Sequence, residues 1–220
     1  MKKYLIFIIS IILIFACSQP GAVDLEQAKL LMNGDSLTVP DTVLAIAHVT
    51  RAAERGNAEA MYYMAYYSQY GIGMEKNNER SFEWYLRSAK AGYPKAQNKM
   101  GMIYYGGNGA EQDYAEAMTW FTRSAKRGDD QSQYMLGIIY SRGRGTEPDT
   151  TKAIRWLEKS VAGGHPYPEY LLGKLLYEIA ETPEEVETAR QWVKSAADKG
   201  VGHAKELLHA MDKGQLTIDN

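Results

Sequence analysis

The four tryptophans of this chain stand at Trp84, Trp120, Trp156 and Trp192, each 36 residues after the one before. Equal spacing without insertions is the signature of a repeat array, in which one supersecondary unit is reused and buries its apolar face on its neighbours. Three further columns keep the register: Gly56, Gly92, Gly128, Gly164 and Gly200; the small residues Ala45, Ser81, Ala117, Ala153 and Ala189; and Asp41, Asn77, Asp113 and Asp149. Each column has a physical role. Asp and Asn are favoured helix N-caps, because their side chains accept a bond from otherwise unpaired first-turn N–H groups. Gly suits the left-handed position that closes a helix. The small residue and the Trp lie three apart on one helical face, so a neighbouring helix is expected to approach the small residue while the indole fills the remaining gap.

The other half of the period is also helical in pattern. Ala60 to Ala65, Ala96 to Gly101 and Ser132 to Gly137 each place a small residue ahead of an apolar one at i+4, and each run leads to a Gly-x-Gly at Gly71, Gly107 or Gly143. A phosphate-cradling loop is not expected there, since no strand precedes it and no Lys-Ser or Lys-Thr follows. A helix-to-helix turn with positive φ accounts for these glycines.

These residues, Ala-x-Tyr-x-Leu-Gly-x-x-Tyr, then Gly-x-Gly, an Asp, and Ala-x-x-Trp ending in Gly, resemble the Sel-one-like repeat (SLR), a relative of the tetratricopeptide repeat. The resemblance implies an all-α fold: a right-handed α/α solenoid of about four 36-residue helix-turn-helix units at 57–92, 93–128, 129–164 and 165–200, with half-units at 41–56 and 201–213. The third unit is the cleanest, with Tyr134, Leu136, Gly137, Tyr140, Gly143, Gly145, Asp149, Ala153 and Trp156 in place. The fourth departs from the pattern. Ile179-Ala180-Glu181 replaces Gly-x-Gly, and Thr182-Pro183-Glu184-Glu185 reads as a capping box, so its first helix is expected to run on and its second to start early.

Ahead of the array, Met1-Lys2-Lys3 and an apolar run from Tyr4 to Ala16 form a signal peptide in pattern, too short to span a bilayer. Leu13-Ile14-Phe15-Ala16-Cys17 resembles a bacterial lipobox. That resemblance implies cleavage after residue 16 and lipidation of Cys17, whose thiol is the nucleophile the modification needs. Residues 17–23 then form a lipidated tether, 24–40 a short leading helix and linker, and 214–220 a C-terminal tail. Two or three acyl chains give stable membrane attachment. Ser18 after the cysteine points to the outer membrane, facing the periplasm.

Composition narrows the function. With 25 Lys plus Arg against 27 Asp plus Glu, the chain lacks the basic surplus of a nucleic-acid binder. One Cys and four His leave little for a metal site, and neither a metal nor a cofactor is expected. The histidines His48, His165, His203 and His209 belong to no catalytic motif, so no enzyme is expected. A β-lactamase-like hydrolase would need the cysteine pairs of relatives named for that activity, which this chain lacks. The resemblance implies instead an adaptor that binds another protein of the envelope; the alternative is an immunity protein against a secreted toxin, such as a type VI phospholipase effector.

Tyr is the unusual residue, 16 against 4 Phe and 4 Trp. Family positions account for Tyr62, Tyr104, Tyr134, Tyr140 and Tyr170. Tyr63, Tyr66, Tyr67, Tyr70 and Tyr105 lie outside them, and the first four form a stripe at helical spacing. Such a stripe either packs on the leading helix or offers a protein-binding surface, since Tyr gives large area with few rotors. Lys99, Arg142 and Lys174 are candidates to line the same groove, or else face solvent.

Overall fold

The computed structural model describes residues 20–32 and 39–213. The signal segment, Cys17 and the 214–220 tail therefore lie outside the described residues. Among the described residues there are eleven α-helices, one 3-10 turn at Val161–Gly163 and no strand. None of these helices is long and apolar enough to cross a membrane. The chain forms two compact units, ending and beginning at Gln112 and Asp113. The first holds α1 (Ala22–Met32), α2 (Val39–Glu54), α3 (Ala58–Tyr70), α4 (Asn78–Lys90) and α5 (Pro94–Gly106). The second holds α6 (Tyr114–Ala125), α7 (Asp130–Arg142), α8 (Thr150–Ser160), α9 (Pro166–Ile179), α10 (Pro183–Asp198) and α11 (Gly202–Asp212). Within each unit every helix packs on the next.

The boundaries follow from the repeated columns. Asn77, Asp113 and Asp149 each accept a hydrogen bond from the N–H three residues on, at 2.8, 2.9 and 2.8 Å. Each such cap contributes about 1 kcal/mol. A second set of caps opens the alternate helices: Asn57 and Asp129 accept from the N–H groups of Ala60 and Ser132. Where that column turns to Tyr93 and His165, whose side chains do not cap, Pro94 and Pro166 occupy the first turn. Proline there removes one of the first-turn N–H groups that have no partner within the helix. At the other end the Gly56 column has φ between 76 and 93°, open only to glycine without strain. Gly56 N–H and Asn57 N–H donate back to the carbonyls of Ala53 and Ala52, closing α2 in a Schellman turn.

The packing corrects the expected role of the tryptophans. Only Trp120 is buried, at 3% exposure; Trp84, Trp156 and Trp192 are half-buried. The residue that fills the core is the next one: Tyr85, Phe121, Leu157 and Val193 are 2% exposed or less. Three of the four indoles instead carry a cation three residues on, with Arg87, Arg123 and Lys159 lying 5.0, 4.6 and 4.6 Å from the ring centroids of Trp84, Trp120 and Trp156. The small residues face the core knobs. A Cβ added at Gly137 would lie 2.6 Å from Leu157 Cδ2, and one at Gly173 would lie 2.7 Å from Val193 Cγ2 and 2.9 Å from the Ala189 carbonyl oxygen.

Two further expectations meet the structure differently. In the fourth repeat α9 has 14 residues and α10 has 16, and Thr182 with Glu185 forms the full capping box, as the sequence predicts. At the start, however, α2 begins at Val39, so Asp41 lies inside its first turn and does not precede the helix. Nor is α1 a detached leader. Leu25 and Ala28 of α1 are buried with Ala45, Val49 and Ala52 of α2, so the two form a hairpin like those that follow.

The two kinds of glycine predict two kinds of substitution effect. Gly173→Ala is expected to cost about 1–3 kcal/mol through overpacking against backbone that cannot retreat. Gly200→Ala, with nothing within 4 Å but a φ of 93°, is expected to cost about 1–2 kcal/mol through backbone strain alone. Denaturant unfolding followed by circular dichroism checks both. Val193→Ala removes one of the atoms that the Gly173→Ala methyl would meet, so the cost of this pair is expected to be less than the sum of the single costs, whereas Val193→Ala and Gly200→Ala should add.

Candidate functional site

The tyrosine stripe sits on α3, and α1 makes the facing wall. Between them lies a cavity of about 390 Å³. Buried Leu25, Ala28 and Val49 supply its apolar base, and Tyr62, Tyr63, Tyr66 and Tyr67 its aromatic side. Lys29 and Lys95 stand at its edge. The rings form a connected set: Tyr63 stacks on Tyr67 with centroids 6.2 Å apart, Tyr66 tilts on Tyr70 at 4.6 Å, and Tyr62 meets Tyr85 and Tyr93 at 5.4 Å.

The stripe divides by exposure. Tyr66 and Tyr70 are 39% and 58% exposed and present their rings outward. Tyr63 is half-buried. Tyr67, at 5%, is a core residue, packed with Met64, Val49 and Leu25. Its place in a contact surface is therefore corrected to that of a support. Tyr105 lies on α5, half-buried, with its carbonyl accepting a bond from the Gln112 side chain at 2.9 Å.

The expected basic groove also divides. Lys99 lines a separate cavity of the first unit. Arg142 and Lys174 lie on α7 and α9 of the second unit and face solvent, with Lys174 paired to Glu178 at 3.6 Å. Solvated positions account for both.

Polar ties hold α1 against the aromatic helix. Lys29 lies 3.2 Å from both Glu26 and Glu59. Burial works against its charge, but the hydrogen bonds to these two carboxylates outweigh burial and raise its pKa. Glu59 also meets the hydroxyls of Tyr63 and Tyr93. Asp24, 7% exposed, is held by Arg55 at 2.6 Å, His48 at 3.3 Å and Arg51 at 3.8 Å. Removing one partner from a buried charge cluster costs far more than the cluster adds in net stability. Sequence reading missed this cluster because Asp24 and its partners come from helices whose pairing it did not anticipate.

Another buried polar column escaped the sequence reading although its signal was present. Ser88 and Ser160 stand in register with each other and donate to the carbonyls of Ala58 and Asp130, 30 residues back, at 2.5 and 2.7 Å. Each bond ties a helix to the first turn of the helix just before it, for about 1 kcal/mol.

Burial sets the acid–base behaviour of the aromatic set. Tyr62 and Tyr67 are pushed above the usual phenol value by burial first and by neighbouring phenols second. Tyr85 and Tyr93 are raised further, again by burial first, with Glu59 adding to the effect at Tyr93. A raised folded pKa keeps these phenols neutral where unfolded ones ionise, so the stability they contribute is complete below pH 10 and is lost as pH rises beyond it. In an alkaline titration followed by phenolate absorbance, a late group that includes Tyr62, Tyr67, Tyr85 and Tyr93 is expected to ionise together with unfolding.

Comparison with known proteins places this architecture. A family model described as Sel1 repeat matches residues 28–57, 58–93, 94–129, 130–165 and 169–201, five segments that together exceed half of the chain and begin within α1. No curated protein matches the chain. Among solved structures, a protective antigen of uropathogenic Escherichia coli strains displaying an SLR fold superposes with a TM-score of 0.78 at 29% identity, over 92% of this chain and 43% of its own. This chain thus spans less than half the length of that antigen. A Sel1 repeat protein from Oxalobacter formigenes gives a TM-score of 0.75 at 23% identity, over 89% of this chain and 77% of its own. An immunity protein from Pseudomonas aeruginosa gives 0.50 at 19% identity, over 84% of this chain and 67% of its own, a likeness of fold alone.

Proposed function

Because the chain belongs to the Sel1 repeat family, we propose that it is a non-enzymatic, lipid-anchored protein of the bacterial cell envelope whose repeat array holds another protein, with the tyrosine-lined cavity of the first unit as its contact face. The family generally serves protein–protein interaction. The observation that carries the choice of face is the pair Tyr66 and Tyr70, exposed and ring-to-ring at 4.6 Å beside a 390 Å³ apolar cavity. Rigid aromatic area next to a pocket is where binding energy concentrates in protein interfaces. Attachment through Cys17, with palmitate among its acyl chains and the array facing the periplasm from the outer membrane, rests on the signal and lipobox residues.

The non-enzymatic part of the reading has the family in its favour, which is generally a protein-interaction scaffold. A second reading, an immunity protein that neutralises a toxin such as a type VI phospholipase effector, has in its favour that an immunity protein of Pseudomonas aeruginosa is built on the same fold.

Two experiments test the proposal. The full chain in detergent is used to capture partners from solubilised envelopes, beside a Tyr66→Ala, Tyr70→Ala variant. Loss of one partner by the variant, with unchanged helicity because both rings are exposed, is the expected result; retention places the face elsewhere. A toxin-like lipase as that partner would establish the immunity role. Cys17→Ser is expected to abolish palmitate labelling and to release the chain from the membrane fraction. Labelling and retention equal to the parent chain would sink the anchor.

A further inference from the structure

Lys99 is out of character for its place in the repeat. The same register position holds Tyr63, Met135 and Leu171 in the other repeats, all apolar or aromatic. Its side chain is half-buried in a second cavity of the first unit, about 430 Å³ in volume, bounded by α3, α4 and α5 and distinct in lining from the tyrosine cavity. Its ammonium lies 5.5 Å from the ring centroid of Tyr85. Among the described residues no carboxylate pairs with it, and burial alone pulls its pKa down with nothing to offset the loss of hydration.

The rest of that lining is suited to an anion. Gln69, Asn78, Ser81 and Asn108 border the cavity, and no Asp or Glu does. Gln69 accepts the Tyr85 hydroxyl through its carbonyl oxygen at 3.2 Å, which leaves its amide nitrogen with two donors. Asn78 and Asn108 are exposed at the mouth, so the cavity is open to a group arriving from outside. A cation half-removed from water, without a counter-charge and surrounded by neutral donors, is stabilised by whatever anion enters.

We infer that the Lys99 cavity is a carboxylate-binding subsite, which takes an acidic side chain or the terminal carboxylate of a bound polypeptide and seats it between the Lys99 ammonium and the amides of Gln69 and Asn78. The apolar neighbours Tyr85 and Ile103 accommodate the aliphatic part of the same residue. The subsite deepens the protein-binding reading and rests on it. It adds a charge requirement that the aromatic face lacks.

The test uses the full chain in detergent and three probes: N-acetyl-Leu-Phe with a free carboxylate, its C-terminal amide, and N-acetyl-Asp-Leu-Phe-amide. Binding is read by shifts of the Lys99 Cε and Nζ resonances and by titration of Lys99 with and without each probe. At least one carboxylate-bearing probe is expected to bind tenfold or more tightly than the neutral amide and to raise the Lys99 pKa. Preference for the first probe identifies a chain terminus as the source, and preference for the third a side chain. Lys99→Met, which installs the residue type of Met135 in this register, is expected to keep the fold, to raise the Tm of the unliganded protein and to lose the tenfold preference; Lys99→Arg should retain it. Equal binding of the amide, binding undiminished in Lys99→Met, or no binding of any probe would overturn the subsite. Capture of an envelope protein dependent on Tyr66 and Tyr70 would survive each of these failures, so the two readings fall separately.

Discussion

Much of this structure depends on how closely two helices of a pair can lie. At Gly137 and Gly173 the backbone of one helix takes the side chain of Leu157 or Val193 so tightly that a single added methyl would overlap it. Such an approach needs a residue without a side chain on one helix and a knob on the other, repeated at a fixed offset. It also brings the following parts into range. Ser160 can reach the carbonyl of Asp130 because α7 and α8, which carry the two residues, pack directly on each other. The short connections, each a left-handed glycine followed by a cap, are long enough only for helices already in contact.

Much of that arrangement was legible. The glycine column, the Asp and Asn caps, the small-residue column and the altered fourth repeat all follow from local backbone chemistry, which acts within a few residues and leaves its mark on each period. Facing was harder to read. Tyr63, Tyr66, Tyr67 and Tyr70 fall on one stripe by spacing, yet Tyr67 is core and Tyr70 is 58% exposed. A helix in an array touches neighbours on several sides, so its apolar arc is wide and periodicity cannot divide it between core and groove. The tryptophans misled for a related reason. An indole is large enough to be conspicuous in sequence, but its half-exposed face under Arg87 or Lys159 marks the margin of the core, whose centre is the residue beside it. The first hairpin was obscured because Asp35 and Leu37 stand in the sequence where the following repeats carry Gly-x-Gly.

The site depends on that first hairpin. Without α1, the tyrosines of α3 would face solvent and the cavity would lose Leu25, Ala28 and Met32. What keeps α1 in place is partly apolar burial and partly the charged ties of Asp24 and Lys29. Buried ion pairs add little net stability, but they penalise every arrangement in which the partners separate. Here they tie one wall of the tyrosine-lined cavity to its neighbours. Burial also holds Tyr62 and Tyr67 neutral beyond the pH at which a free phenol ionises.

The alternation between capping side chains and prolines at the helix starts has a consequence for how such a chain can vary in length. Asn57 and Asp129 solve the first-turn problem with an acceptor, whereas Pro94 and Pro166 solve it by removing a donor. Both solutions fall in the same turn of the period, the acceptor immediately after the left-handed glycine and the proline one residue later. The junctions are therefore interchangeable, and a whole period can be inserted or excised at any of them with every splice meeting a compatible partner. A gain or loss of any other length would set caps against helix interiors and knobs against knobs. Growth of this architecture is thus stepwise, with the 36-residue period as its quantum.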